Sequence, residues 1–419
     1  MLMSKQEKKA LVPERRFSEF RDERAWEMMH GNKVFDQISN KNHNSDHSIL
    51  AITQEYGAIP RDMIDYNVTV TEKSIESYKI VEVGDFIISL RSFQGGIEYS
   101  TYKGLCSPAY VILRKKIDVN NHFFKQLFKT SIFIQSMNRN IEGIRDGKMV
   151  SYKQFSELLL PVPLPEEQQK IADCLTSIDE LITAQTQKLD GLKAHKKGLM
   201  QQLLPAEGKP LPKLRFPEFR DKGEWKSQKL EELAKRGSGH TPNKKMANYY
   251  NGGIKWVSLA DSKKLDSGYI SDTKVEISKE GIENSSAVLH PAGTVILSRD
   301  AGVGKSAVLH SEMAVSQHFI AWVCDESKLS NWFLYYVLQN MKPTFECIAV
   351  GNTIKTIGLP YFKEMYLLIP SPREQQKIAD CLISIDDLVT TQNQRIDALK
   401  SHKKGLMQQL FPAMNEVGA

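Results

Sequence analysis

Two segments of the chain carry apolar residues in a repeating four-three spacing. In residues 166–204 and again in 373–411 the spacing continues for ten positions, eight of them apolar in each segment. A pattern sustained over several heptads predicts a coiled-coil helix rather than an isolated amphipathic one. The predicted seam positions are Ile171, Leu175, Ile178, Ile182, Gln185, Leu189, Leu192, Lys196, Leu199 and Leu203 in the first segment, and Ile378, Leu382, Ile385, Val389, Gln392, Ile396, Leu399, Lys403, Leu406 and Leu410 in the second.

Prolines precede and follow each segment, as expected at helix boundaries. They are Pro161, Pro163, Pro165 and Pro205 for the first segment, and Pro370, Pro372 and Pro412 for the second. A helix of 39 residues would be about 58 Å long at a rise of about 1.5 Å per residue. Gln185 and Gln392 fall near the middle of the seam, where a buried polar residue could fix the register. A surface glutamine in a partly open seam fits the sequence equally well.

The two helical segments are repeats of one another. At an offset of 207 residues, 28 of 39 aligned positions are identical. A shorter repeat, RRFSEFRDERAW at 15–26 and LRFPEFRDKGEW at 214–225, precedes each body at an offset of 199. The bodies, 27–165 and 226–372, resemble each other far less. The sequence therefore predicts a duplicated unit with matched helical connectors and different globular parts.

Charge along the helical repeats predicts that they pair antiparallel. Residues 166–180 contain five acidic side chains and one lysine, whereas residues 188–197 contain four lysines and one aspartate. The second copy has the same gradient. A parallel pair would place acid beside acid, and an antiparallel pair places acid beside base. The gradient also complements the dipole of each helix by itself, which is the simpler explanation of it.

Composition excludes several classes of protein. The 419 residues are 41% hydrophobic and 25% charged, which is typical of folded domains and unlike collagen or a wholly disordered chain. The net charge of +6 permits a polyanionic partner without requiring one. Five cysteines without a CxxC spacing argue against a disulfide framework or a cysteine zinc site, and predict a reducing, cytoplasmic environment. With no run of 18 apolar residues, we expect no contact with a membrane interior.

At the level of motifs, the chain resembles the specificity subunits of type I restriction-modification systems over nearly its whole length. The motifs are EQQKIADCL at the start of each predicted helix, RFPEFRDKGEW (215–225), SGHTPNKKMANYYNGGIKW (238–256), ILSRDAGVGKSAV (296–308), GNTIKTIGLPYFKEMYLLIPSPREQQ (351–376), and, in the first body, NKNHNSDHSILAITQEYGAIPRD (40–62) and YSTYKGLCSPAYVILR (99–114). The resemblance implies a mixed α/β (α+β) fold. It implies two globular target-recognition domains separated by two long antiparallel coiled-coil helices, with an internal pseudo-twofold repeat.

In chain order, the resemblance implies five parts. They are target-recognition domain 1 with its N-terminal lead (1–164), a central helix (165–205), target-recognition domain 2 (206–371), a C-terminal helix (372–412) and a tail (413–419). It also implies that the chain is not an enzyme and holds no catalytic, metal or cofactor residues. Double-stranded DNA, two modification (adenine methyltransferase) subunits and restriction or translocase subunits are the implied partners. S-adenosylmethionine, ATP and Mg²⁺ would belong to those partner subunits.

Polar and basic loops of the two bodies supply the candidate DNA contacts. Arginine can bind guanine, asparagine and glutamine can bind adenine, and lysine can neutralise phosphate. Taken singly, each of these residues fits a solvated loop as well as a DNA contact. The candidates are Lys41, Asn42, His43, Asn44, Arg91, Gln94, Arg145 and Lys148 in the first body, and Arg236, His240, Thr241, Asn243, Lys244, Arg299, Lys305, Asn352 and Lys355 in the second.

Two other interpretations have some support in the sequence. The segment AGVGKS (301–306) is similar to a phosphate-binding loop, but Arg299 stands where the first glycine would be required, and a β-like stretch follows. We therefore do not expect nucleotide binding there. A stand-alone, sequence-specific DNA-binding regulator is the alternative function. Such a regulator would need only the two bodies and would leave the near-identity of the two helices unexplained.

Overall fold

The computed structural model describes residues 11–44, 46–64, 75–139, 150–351 and 355–412. The helices are α1 (Gly31–Val34), α2 (Ser92–Gly95), α3 (Asn121–Leu127), α4 (Ser131–Arg139), α5 (Tyr152–Glu157), α6 (Pro165–Leu203), α7 (Leu230–Leu233), α8 (Lys279–Glu283), α9 (Asn331–Asn340), α10 (Lys342–Ile348), α11 (Leu359–Lys363) and α12 (Pro372–Leu410).

The strands are short and fall in two groups, one before α6 and one after it. They are β1 (Glu27–His30), β2 (Phe35–Ile38), β3 (Leu50–Thr53), β4 (Gly57–Pro60), β5 (Lys79–Val81), β6 (Phe86–Ile88), β7 (Glu98–Tyr99), β8 (Gly104–Cys106), β9 (Val111–Lys115), β10 (Leu159–Val162), β11 (Lys226–Lys229), β12 (Ala234–Ser238), β13 (Tyr250–Val257), β14 (Tyr269–Ile270), β15 (Glu276–Ile277), β16 (Leu289–His290), β17 (Val295–Ser298), β18 (Ser306–Leu309), β19 (Met313–Val315), β20 (Phe319–Cys324) and β21 (Tyr366–Ile369).

Packing divides the chain into two compact units. Unit 1 comprises residues 1–185 and 396–419, and unit 2 comprises residues 186–395. Each unit contains one globular body, here called head 1 or head 2, together with part of α6 and part of α12. The two units are defined by packing, whereas the five predicted parts are defined by chain order. Each long helix therefore contributes residues to both units.

Head 1 is built on a four-stranded antiparallel sheet of order β2-β9-β6-β7, flanked by the strand pairs β3-β4, β5-β8 and β1-β10. Aromatic residues fill the core between this sheet and α3. Phe35 packs edge-on against Phe86 and Phe124, with ring centroids 5.4 and 5.1 Å apart. All three side chains are fully buried.

Head 2 contains a five-stranded sheet of order β12-β20-β17-β18-β14 and a four-stranded sheet of order β15-β13-β19-β16. The pairs β13-β19 and β14-β18 are parallel, and the other pairs of these two sheets are antiparallel. Helix α9 covers the larger sheet, and Trp322, Phe333 and Tyr335 are fully buried in its core. The mixed α+β fold expected from the sequence is confirmed for both heads.

The two long helices pack antiparallel within each unit. In unit 1, Ile171 near the start of α6 shares a buried cluster with Leu410 at the end of α12. In unit 2, Leu203 at the end of α6 shares one with Ile378 and Leu382 near the start of α12. The antiparallel direction predicted from the charge gradient is therefore confirmed, and both helices have the 39 residues expected.

The seam positions lie on the enclosed side of both helices. Each of the twenty predicted positions is buried or half-buried. Gln392 is only 5% exposed and Gln185 is half-buried. Gln392 is therefore a buried polar residue and not a surface residue of an open seam.

Candidate nucleic-acid interface and helix clasps

Three loops of head 1 meet at one edge of its main sheet. Strands β2 and β6 both pair antiparallel with β9, and Ile38 at the end of β2 lies opposite Ile112. Ile88 at the end of β6 lies opposite Val111 at the start of β9. Because neighbouring antiparallel strands alternate in direction, the loops that leave β2 and β6 meet the loop that enters β9. These loops, 39–44, 89–96 and 107–110, are the loop edge of head 1.

Head 2 repeats this arrangement with β12, β17 and β20. Ser238 at the end of β12 lies opposite Ile320, and Ser298 at the end of β17 lies opposite Phe319. Loops 239–245, 299–305 and 316–318 therefore meet at the corresponding edge, the loop edge of head 2. Sheet pairing thus brings together candidates from distant parts of the sequence.

The described candidates of head 1 lie on its loop edge. Lys41, Asn42, Asn44, Arg91 and Gln94 are exposed. The half-buried His43 places Nε2 3.1 Å from the carbonyl oxygen of Tyr78. Arg145 and Lys148 fall outside the described residues.

Most of the described candidates of head 2 lie on its loop edge. His240, Asn243 and Lys244 are exposed, and the Thr241 hydroxyl donates to the side-chain oxygen of Gln317. Lys305 and Lys355 line a cleft of about 550 Å³ together with Lys342 and Glu346. Asn352 falls outside the described residues.

Arg236 differs from the other candidates of head 2. It lies within β12, where its Nε donates to a Glu231 carboxylate oxygen at 2.5 Å. The side chain therefore already has an internal acidic partner. We exclude Arg236 from the proposed interface.

The glycine-rich segment of head 2 forms a turn. Gly302 and Gly304 have φ angles of 106° and 83°, a region that glycine adopts without a Cβ penalty. Strand β18, rather than a helix, begins at Ser306. The amide groups of a helix N-terminus that bind phosphate in a phosphate-binding loop are therefore missing at this place.

Sequence reasoning missed three residues of the head 2 loop edge, Asp300, Gln317 and His318. His318 Nδ1 lies 2.8 Å from an Asp300 carboxylate oxygen. Gln317 is exposed between the other two loops. Gln317 and His318 directly precede β20, and Asp300 follows β17; these positions become informative only when β20 is known to lie between β12 and β17.

Two matched ion pairs fasten the repeated leads to the long helices. Arg16 donates to both carboxylate oxygens of Glu167 at 2.7 and 2.6 Å, and Arg215 donates to those of Glu374 at 2.7 and 2.8 Å. Both glutamate side chains are 1% exposed. The hydrogen bonds that Arg16 and Arg215 donate to Glu167 and Glu374 raise the pKa of each arginine above the ordinary arginine value. We call each pair, with the lead that it holds, a helix clasp.

A second layer of each clasp uses a lysine one turn along the helix. Lys170 lies 5.7 Å from the ring centroid of Phe17 and 2.9 Å from a Glu19 carboxylate oxygen. In the second copy, Lys377 lies 5.8 Å from the ring of Phe216 and forms the equivalent ion pair with Glu218 at 3.7 Å. Because both lysines are about half exposed, the ion pairs and the cation–π contacts each add little stability, and the buried arginine–glutamate pairs hold the leads more strongly.

Matched glutamines connect each long helix to its head. The side-chain oxygen of Gln168 accepts from the backbone N–H of Asn120, and that of Gln375 accepts from the backbone N–H of Ser330, both at 2.9 Å. Asn120 and Ser330 are the N-cap residues of α3 and α9. The repeated EQQ motif therefore encodes one attachment that is made twice.

Matched aspartates connect the two long helices to each other. Asp179 accepts from Lys403 at 2.7 Å in unit 1, and Asp386 accepts from Lys196 at 2.5 Å in unit 2. Gln126 of head 1 also donates to Asp179, and Tyr336 of head 2 donates to Asp386. Each bond joins an acidic start of one helix to a basic end of the other, as the charge gradient predicted.

Neither a metal-binding cluster nor a membrane-spanning helix occurs among the described residues. In the part of the chain that the structure describes, no group of three histidine, cysteine or acidic side chains is arranged to hold a metal ion. Across the same residues, no helix has the length and apolarity needed to cross a membrane. All five cysteines lie in this part and are free thiols.

The chain belongs to the type I restriction modification DNA specificity domain family. The family model matches twice, at residues 26–194 and 222–401. The chain is 24% identical over 359 residues to the MjaVIII type I restriction enzyme specificity subunit of Methanocaldococcus jannaschii, covering 82% of this chain and 81% of the relative. The match to the MjaIX specificity subunit of the same organism, at 27% identity, spans 42% of this chain and only 41% of that relative.

Solved structures share the fold. The S subunit of a type I restriction-modification system from M. genitalium superposes with a TM-score of 0.57 at 12% identity, covering 97% of this chain and 100% of that one. A chain from a study of complex assembly and conformational transition in the type I R-M system gives a TM-score of 0.57 at 16% identity, covering 92% and 97%. Because the matched domain is a DNA-specificity domain, the chain has a recognition role rather than a catalytic one.

Proposed function

We propose that this chain is the specificity subunit of a cytoplasmic type I restriction-modification complex and reads a bipartite, asymmetric DNA site. Each head reads one half-site through its loop edge. The two edges have the same strand framework and different side chains, which is what two unlike half-sites require. Phosphate contacts from exposed lysines such as Lys41, Lys244 and Lys355 would position each head without selecting a sequence.

Docking of partner subunits is supported by exposed residues of α6 and α12 that are identical in the two helical repeats. Buried identities such as Glu167 and Glu374 are explained by equal packing in the two units. Identical residues that are exposed have no such explanation. The most informative are Leu181 and Leu388, which are 39% and 54% exposed. Recent duplication alone does not account for them, because the heads have diverged widely.

We therefore propose that one kind of partner surface meets these helices twice. The partners would be two modification subunits, with restriction or translocase subunits joining the complex. S-adenosylmethionine, ATP and Mg²⁺ would act in those subunits. The exposed identity of Leu181 and Leu388 is the single observation that carries this proposal.

Native mass spectrometry of the chain co-expressed with its modification subunit tests the docking. The wild type should hold two modification subunits, and Leu181→Asp or Leu388→Asp should each remove one, because a buried carboxylate in an apolar contact is costly. Ala194→Asp, at an exposed position that differs between the repeats, is the matched control and should retain both. If the wild type captures no modification subunit but still binds a specific DNA sequence, the stand-alone regulator becomes the better account.

A further inference from the structure

The two heads place different residues at one equivalent position of their loop edges. The segments VGDFIIS (83–89) and AGTVILS (292–298) align. Their strands occupy equivalent positions in the two sheets, because β6 pairs with β9 and β17 pairs with β20. The residue that follows the shared serine is Leu90 in head 1 and Arg299 in head 2. The same backbone site therefore presents an apolar side chain in one head and a guanidinium in the other.

The backbone of Arg299 is held on both sides. Its N–H donates to the carbonyl oxygen of His318 at 3.0 Å, and its carbonyl oxygen accepts from the N–H of Ile357 at 2.9 Å. His318 is in turn fixed by its ring contact with Asp300. Little conformational freedom of the main chain remains to be lost when a ligand binds at this residue.

The guanidinium of Arg299 is also oriented. Its Nε donates to the carbonyl oxygen of Gln317 at 3.2 Å. No described residue accepts a hydrogen bond from its Nη atoms. The two Nη atoms at the end of the guanidinium are therefore available to a ligand with two adjacent acceptors. Guanine presents O6 and N7 in this way in the major groove.

Leu90 has the opposite chemistry. Its side chain is 51% exposed on the loop edge of head 1 and has no hydrogen-bonding group. In the major groove, the complementary feature for an apolar side chain is the 5-methyl group of thymine.

We infer that the residue after the shared serine is a base-reading position in both heads, with Arg299 selecting a guanine in one half-site and Leu90 a thymine in the other. The inference rests on the proposed function and adds the chemistry of one base in each half-site. Arg299 is the base contact, and Gln317 and His318 are positioning residues.

The Arg299 assignment is tested by measuring how the chain, in complex with its modification subunits, binds DNA that contains base analogues. A binding site is first selected from random DNA, and each guanine is then replaced in turn by 7-deazaguanine, which lacks the N7 acceptor. For the wild type, one replacement in one half-site should weaken binding roughly 10- to 100-fold. Arg299→Ala should bind the normal and replaced sites equally, and Arg236→Ala, which removes the same charge from β12, should discriminate like the wild type.

The matched test of Leu90 replaces each thymine by uracil, which lacks only the methyl group. One replacement in the other half-site should weaken wild-type binding by about fourfold, the value of one buried methyl group. Leu90→Ala should lose this preference. Arg299→Ala should keep it, which shows that this variant is folded and that the heads act separately.

The outcomes separate the inference from the proposed function. If the wild-type complex selects no DNA sequence, the proposed function fails. If it selects a site but Arg299→Ala discriminates against the same 7-deazaguanine as the wild type, the function stands and the base-reading assignment is overturned. Loss of discrimination confined to the predicted half-site supports the assignment.

Discussion

The two halves of this protein have nearly the same contacts at the helix clasps and different side chains at the loop edges. Glu167 and Glu374 make the same bidentate bond to an arginine of the lead, with four N···O distances between 2.6 and 2.8 Å. At the loop edges, the same strand pattern ends in Leu90 on one head and Arg299 on the other. An attachment that is made twice retains its chemistry, whereas a surface that meets two different ligands retains only its framework.

The two clasps also differ in one detail that makes the comparison testable. Trp225 Nε1 donates to Glu374 at 3.3 Å. The Nε1 of its repeat mate Trp26 is buried and finds no acceptor among the described residues. The Glu374 carboxylate therefore accepts one hydrogen bond more than the Glu167 carboxylate does.

Breaking the clasps should give the largest effect. Glu167→Ala leaves a guanidinium that is 5% exposed without its carboxylate partner, and removing one member of such a pair typically costs about 3–5 kcal/mol. Hydrogen exchange should show lost protection of residues 15–26 in Glu167→Ala and of 214–225 in Glu374→Ala. Glu374→Ala should be the more severe, because Trp225 also loses its acceptor.

The matched control for the clasp of Arg16 and Glu167 is the neighbouring carboxylate. Glu166 is exposed, and Glu166→Ala should leave protection of the lead unchanged. Equal loss of protection in Glu166→Ala and Glu167→Ala would mean that the net charge of the helix start, and not the bidentate pair, holds the lead.

Exchanging charges between the helices should give an intermediate effect. Asp179→Lys alone removes the acceptor of Lys403 and Gln126 and places two lysines together, and we expect a loss of about 1–2 kcal/mol. Adding Lys403→Asp should restore part of this loss, because the pair is partly exposed and reformable in the reverse sense. Urea unfolding of the single and double variants measures the coupling, and additive losses would contradict a direct pair.

The smallest effect should come from pH and should be confined to head 2. His290 is 3% exposed and lies beneath Gly237, where an added Cβ would come within 2.5 Å of its ring. Burial lowers the pKa of His290 below the ordinary histidine value. The unfolded chain then binds the proton more readily than the folded chain, so the stabilisation is complete above about pH 6.5 and decreases as the pH falls below it.

Thermal unfolding between pH 7.5 and 5.5 measures this dependence. One such group contributes at most about 1.4 kcal/mol per pH unit. His290→Gln should flatten the dependence, and the exposed His310→Gln should not. If both variants keep the wild-type slope, another group causes it.

The helices could be predicted from the sequence because their signals are local. The four-three spacing gives the seam, the flanking prolines give the bounds, and the charge gradient gives the direction of pairing. Asp179 and Lys403 were separated by more than two hundred residues, yet the gradient was sufficient to place opposite charges together.

The loop edges were less accessible, because they depend on which strands become neighbours. Gln317 and His318 gain significance only through the position of β20 between β12 and β17. Arg236 was a candidate on charge alone, but α7 leads directly into β12 and brings Glu231, five residues earlier, to its side chain. Composition identifies polar loops, whereas tertiary pairing decides which of them form one surface.

Methylome sequencing of cells that express this chain with its modification subunits tests the two-headed recognition most directly. The account predicts one asymmetric motif in two parts with a fixed gap, and relaxation of a single base in one part when Arg299 is replaced by alanine. A continuous motif, or relaxation of both parts by that one substitution, would contradict it.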